Sequence, residues 1–83
     1  MVKILPVNKK IEAKIKKFAL AKKWQKQLKL LRTNLCHPGL NLELMEPRNM
    51  GIYSFRIDKK FRALVFFRGS GTVEILNITV HYH

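Results

Sequence analysis

Arg56, Arg62, His81, Tyr82 and one of Glu43 or Glu46 are the residues of this chain whose types suit phosphate chemistry. An RNA phosphodiester is cleaved without metal when one group takes the proton of the ribose 2′-hydroxyl and a second protonates the leaving 5′-oxygen. A cation meanwhile stabilises the pentacoordinate phosphorane. A carboxylate or a histidine fits the first task, His81 or Tyr82 the second, and arginine's planar fork of donors the third. Each residue also has a plainer reading. Arg56 and Arg62 read equally as two solvated surface charges, His81 and His83 as idle imidazoles, and Tyr82 as a cover for the edge of the core. Glu43 and Glu46 read as counter-charges to nearby lysines, worth under about 1 kcal/mol per exposed pair. A zinc site from Cys36, His37, His81 and His83 lacks a second pair at ligand spacing, so no metal and no cofactor is expected. Ser-His-Asp sets, Walker loops and Rossmann fingerprints are absent from the sequence.

The two arginines belong to a hairpin. Ile52 to Ile57 and Phe61 to Phe67 are rich in β-branched and aromatic residues, and Asp58-Lys-Lys60 between them reads as a tight turn. Arginine is depleted in strands buried on both faces, so one face of this hairpin is expected to stay open, with Arg56 and Arg62 able to converge on one anion.

The rest of the chain supplies the support. Val2 to Val7 reads as a first or edge strand ended by Pro6. Asn8 reads as an N-cap, followed by an apolar stripe at Ile11, Ile15 and Phe18 with lysines on the other side. Past Ala19 to Lys22, Trp24, Leu28, Leu31 and Leu35 continue the helical spacing, as one long helix or as a second helix folded back on the first. The two-helix hairpin is expected, because a long uncapped helix could not bury its stripe on so small a sheet. Cys36-His-Pro-Gly39 is loop chemistry, Leu40, Leu42 and Leu44 alternate as a brief extended segment, and Pro47 to Gly51 is the next turn. Arg68 to Thr72 turns again before a last strand, Val73 to Val80. Strict alternation there sends Leu76, Ile78 and Val80 one way and Ile75, Asn77, Thr79 and His81 the other. The expected fold class is α+β: an N-terminal strand, a two-helix hairpin, then three to four mostly antiparallel strands in a twisted sheet with the helices on one face. Arg56, Arg62, Asn77, Thr79 and His81 are expected on the uncovered face.

With 83 residues the chain reads as one domain, 1–83. Seventeen Lys and Arg against five acids give a formal net charge of +12, which draws the protein to polyanions, nucleic acid first. A single cysteine excludes an internal disulfide. Without a signal peptide or a long apolar run, a cytoplasmic location and no membrane partner are expected.

Gly51-Ile-Tyr-Ser-Phe-Arg-Ile57, followed by Phe61-Arg-Ala-Leu-Val65, resembles the hairpin of the RelE/ParE superfamily of type II toxin-antitoxin toxins. The ending Val80-His-Tyr82 is similar to the Txe/YoeB branch, though His83 follows the pair, and Tyr53 and Phe55 stand where that branch has tryptophan and arginine. The resemblance implies a metal-independent, ribosome-dependent endoribonuclease that cleaves mRNA, stops translation and is held inactive by a small acidic antitoxin. Carried over by position, it makes Arg62 the phosphate-contacting arginine, His81 the general acid, Tyr82 the tyrosine near the scissile bond and Glu43 the catalytic glutamate, with Glu46 as the alternative. Arg56, Lys59, Lys60 and Arg48 are the expected phosphate and RNA contacts. The implied partners are the cognate antitoxin, the ribosome with its mRNA, and operator DNA through the toxin-antitoxin complex. On this reading, alanine at Arg62 or His81 removes toxicity without unfolding the protein. Two other readings share the features: a ParE-like toxin that inhibits a type II topoisomerase, and a basic nucleic-acid-binding domain without catalysis.

Overall fold

Asn8 starts the first helix, α1 (Lys9–Lys17), because its Oδ1 accepts the otherwise unpaired Ile11 N–H at 2.9 Å, and Glu12 in the first turn complements the dipole. The helix closes on a left-handed residue. Ala19 has φ 54°, the Leu20 N–H donates to the Ile15 carbonyl at 2.8 Å, and the Ala19 N–H donates to that of Lys16 at 3.1 Å. Glycine usually fills that position, and its Cβ costs alanine about 1–2 kcal/mol. Leu20, 1% exposed, sits at the reversal and is the point from which α2 (Ala21–Thr33) sets off.

Residues 2–69 and 71–80 are described by the structure, a computed structural model. The strands are β1 (Lys3–Ile4), β2 (Glu43–Leu44), β3 (Ile52–Arg56), β4 (Phe61–Arg68) and β5 (Thr72–Val80), with a 3₁₀ turn at Arg48–Met50. They form one sheet in the order β1-β5-β4-β3-β2, antiparallel except for β1 beside β5. The fold is α+β with five strands, four of them after the helices. The first strand is shorter than expected: Leu5 N–H still bonds the Val73 carbonyl at 2.9 Å, and then Pro6, lacking a donor, ends the pairing.

Residues directly opposite in an antiparallel pair share a face. Phe55 faces Ala63 and Tyr53 faces Val65, so these residues form the helix-covered face, with Trp24 stacked on Phe55 at 5.9 Å between ring centroids. Ile11, Ile15, Trp24, Leu28 and Leu31 meet Phe55, Val65, Val73, Ile75 and Ile78 in one core. Phe18 is half-exposed, yet its ring lies 4.7 Å from that of Phe61. The other face carries Arg56 opposite Arg62, Ser54 opposite Leu64 and Ile52 opposite Phe66.

Strict alternation fails in β5. Leu64 pairs with Asn77, but Val65 pairs with Ile75, which leaves Leu76 as an extra residue in a bulge. The bulge flips the parity, so Ile75 and Ile78 are both buried while Leu76 and Asn77 are exposed. Asn77 and Thr79 do reach the uncovered face, opposite Leu64 and Arg62, but Ile75 does not accompany them.

The β3–β4 turn is held by one carboxylate. Asp58 Oδ1 accepts the backbone N–H of Lys60 and of Phe61, each at 2.8 Å, and Oδ2 accepts from Lys23 Nζ at 3.2 Å. Partial burial works to raise the Asp58 pKa, but the hydrogen bonds from Phe61, Lys60 and Lys23 outweigh it and hold the carboxyl below its ordinary value of 3.8. A folded-state pKa below the unfolded one stabilises the fold above pH 3.8 and loses that contribution as pH falls through the folded value. The urea-unfolding advantage of wild type over Asp58→Asn is therefore expected at about pH 6 and should shrink by about pH 3; an equal difference at both would contradict this.

Candidate functional site

Arg62 stands near the start of β4, on the face away from the helices, yet it is only 5% exposed. Its side chain leans diagonally over β3. Nε donates to Ser54 Oγ at 3.0 Å, and Nη2 donates to the Asn41 carbonyl at 2.6 Å and to the Ser54 carbonyl at 3.3 Å. Glu43 Oε2 lies 3.8 Å from the same Nη2. Burial lowers the guanidinium pKa, Glu43 raises it and Arg56 lowers it again; arginine nevertheless keeps its charge at any physiological pH.

These contacts correct the expectation of an open cation. Arg62 ties β4, through Ser54 of β3, to the 41–43 segment, which runs along the outer edge of β3. Two features made the sequence silent on this: the segment is irregular, with Asn41 at φ 47°, and the acceptor is a backbone carbonyl. Ser54, 1% exposed, is the small polar partner that lets the guanidinium lie flat on the strand.

Among the predicted site residues, the structure sets Glu43 beside Arg62 and Arg56 across from it. Glu43 pairs with Ser54 in the β2–β3 ladder, which sets its side chain on the uncovered face, and that side chain is 53% exposed. Glu46 instead pairs with Arg48 at 3.5 Å, in a contact with both side chains about four-fifths exposed. Glu43 is thus the carboxylate beside Arg62.

Arg56 lies directly across from Arg62, with an exposed side chain and a pinned backbone. Its N–H donates to the Leu40 carbonyl at 2.8 Å, and its own carbonyl accepts from Gln27 Nε2 at 2.6 Å. The same Gln27 nitrogen donates to the Gly39 carbonyl at 2.8 Å. Gln27, 6% exposed, was not singled out from sequence, although 24, 27, 28 and 31 all fall on the apolar stripe of α2 and a polar residue there signals a buried hydrogen bond. Lys59 and Lys60 are exposed on the β3–β4 turn. His81 and Tyr82 lie outside the described residues.

The assembled arrangement is a carboxylate held at a fixed distance from a buried cation, with a second, accessible cation alongside. Such a set can accept a proton at Glu43 and bind an anion at Arg56. Among the described residues no group of three or more His, Cys, Asp and Glu side chains is placed to hold a metal ion. His37 Nδ1 accepts the Gly39 N–H at 3.0 Å, and Cys36 is an exposed free thiol. No described helix is long and apolar enough to cross a membrane. Comparison with protein-family models and with curated proteins finds no match to this chain.

Removing Arg62 leaves the Asn41 carbonyl and Ser54 without their donors, so alanine there is no longer expected to spare the fold. Arg62→Ala should lower unfolding free energy by about 3 kcal/mol in urea titrations. Arg56→Ala should change it by less than about 0.5 kcal/mol. Similar small effects in both variants would contradict the buried tie.

Proposed function

We propose that this protein is the toxin of a type II toxin-antitoxin system, an endoribonuclease that cleaves ribosome-bound mRNA without a metal ion. The observation that carries the reading is the Glu43–Arg62 contact at 3.8 Å, with Arg56 across from it on the face that the helices leave uncovered. The net charge of +12 supports a polyanionic substrate, and the antiparallel hairpin with its two arginines is, with the ending Val80-His-Tyr82, what the superfamily resemblance rests on.

Exposure and reach support the roles of Glu43, Arg56 and Arg62, and the superfamily resemblance supplies those of His81 and Tyr82. Glu43 takes the proton of the ribose 2′-hydroxyl, whose oxygen then attacks phosphorus and displaces the 5′-oxygen. A 2′,3′-cyclic phosphate remains on one fragment. His81 donates the proton to the departing oxygen, and Tyr82 lies beside it in sequence. Arg56, the exposed guanidinium, contacts the phosphate. Arg62 acts as a positioning residue that holds Glu43 and the 41–43 segment, a change from the direct phosphate contact its place in the hairpin implies. Lys59, Lys60 and Arg48 add sequence-independent attraction to the RNA backbone. The partners in this reading are the ribosome with its mRNA and an acidic antitoxin, with operator DNA reached through their complex.

One observation favours a second reading, a basic nucleic-acid-binding domain without catalysis: both Nε and Nη2 of Arg62 are engaged by the protein itself. Cleavage assays on ribosome-bound message separate the two. Glu43→Gln should lower the cleavage rate by about 10²–10⁴-fold, the range for loss of a general base, with the thermal midpoint nearly unchanged because Glu43 is half-exposed. Full cleavage by Glu43→Gln, or none by wild type, would overturn the nuclease reading.

A further inference from the structure

Beyond the Glu43–Arg62 pair, α2 and the β3–β4 turn enclose an open depression of about 590 Å³. Lys23, Lys26, Arg56, Lys59 and Lys60 line it, and Asp58 is the one acid among them. The Asp58 carboxylate pairs with Lys23 Nζ at 3.2 Å and offsets one of the five positive charges, which leaves the lining with a formal excess of four. Lys23 and Lys26 are three residues apart on one helix, a spacing at which like charges repel. A bound polyanion would relieve that repulsion.

The geometry points to a second phosphate-binding surface, in which Lys23 and Lys26 of α2 and the lysines of the β3–β4 turn grip RNA backbone outside the cleavage position. This rests on RNA being the substrate and extends that reading to residues of α2 that the hairpin resemblance does not touch. Two observations choose RNA backbone over an acidic protein segment. The apolar member of the lining, Ile57, is only 4% exposed, so the depression presents no apolar anchor of the kind that dominates protein–protein affinity. Arg56 lines the depression and also stands across from Arg62, so one chain of phosphates can run from Glu43 past Arg56 and on to α2. Contacts of this kind position a strand without reading its bases.

The test uses an uncleavable 2′-O-methyl RNA of roughly eight nucleotides, within the range one small domain covers, titrated by fluorescence anisotropy at several salt concentrations. Lys23→Ala with Lys26→Ala should weaken binding about tenfold and flatten the log–log salt slope by about 1.4, the effect of two lost phosphate contacts on a single strand. Lys9→Ala with Lys10→Ala, which removes the same charge from exposed positions of α1, should change affinity by less than about twofold. Equal losses in the two double variants, or competition by polyglutamate as strong as by RNA, would overturn the inference. Because the probe cannot be cut, a catalytically inert wild type that still loses binding on changing Lys23 and Lys26 would remove the nuclease reading and leave this surface standing.

Discussion

A guanidinium that cannot shed its proton, placed where it is only 5% exposed, has to be given acceptors, and the geometry around Arg62 follows from that need. The acceptors come from two places: Ser54 in the neighbouring strand and the backbone carbonyl of Asn41. Asn41 belongs to no regular strand, so the bond from Nη2 is a direct link between the 41–43 segment and the sheet beyond the short β2–β3 ladder. Glu43 lies two residues on. The exposed carboxylate is therefore placed by two things, its own pairing with Ser54 in the β2–β3 ladder and the buried cation's hold on the residues just before it.

The other side of the sheet is held mainly by apolar packing, with polar links from Lys14 to Asn77 and the Ile78 carbonyl and from the buried Gln27. Gln27 projects from the buried stripe of α2 and bonds the carbonyls of Gly39 and Arg56 with a single nitrogen. Arg56 is consequently fixed through its backbone by a helix and a loop while its side chain remains at the surface. A rigid backbone beneath an exposed charge is what an anion-binding position requires, since less order has to be imposed when the ligand arrives. The Asp58 turn extends the same plan, with a carboxylate organising the peptide while Lys59 and Lys60 after it face solvent.

Much of this was legible in the chain. The hairpin expected at 52–57 and 61–67 forms strands at Ile52–Arg56 and Phe61–Arg68, because β-branched and aromatic runs around a charged turn have few other ways to bury their apolar side. The helical stripe is divided near Ala19 between α1 and α2, as the small size of the sheet it has to cover implied. Two features were hidden, each for a physical reason. A bulge at Leu76 changes parity through one unpaired residue, and no residue type marks it. The burial of Arg62 depends on Asn41, 21 residues upstream, folding against the edge of β3, a long-range event that local pattern does not encode. Ser54 and Gln27 carried a usable signal, as polar residues inside otherwise apolar periodic runs.

The central physical claim is that the Arg62 guanidinium is an internal tie with Glu43 beside it, while that of Arg56 is the accessible one. The most direct measurement is NMR of the arginine side-chain N–H groups, with assignments from Arg62→Lys and Arg56→Lys. A slowly exchanging Arg62 Nε–H with contacts to Ser54, beside a rapidly exchanging Arg56 Nε–H, is the predicted result. Rapid solvent exchange at both arginines would contradict it and return Arg62 to the surface.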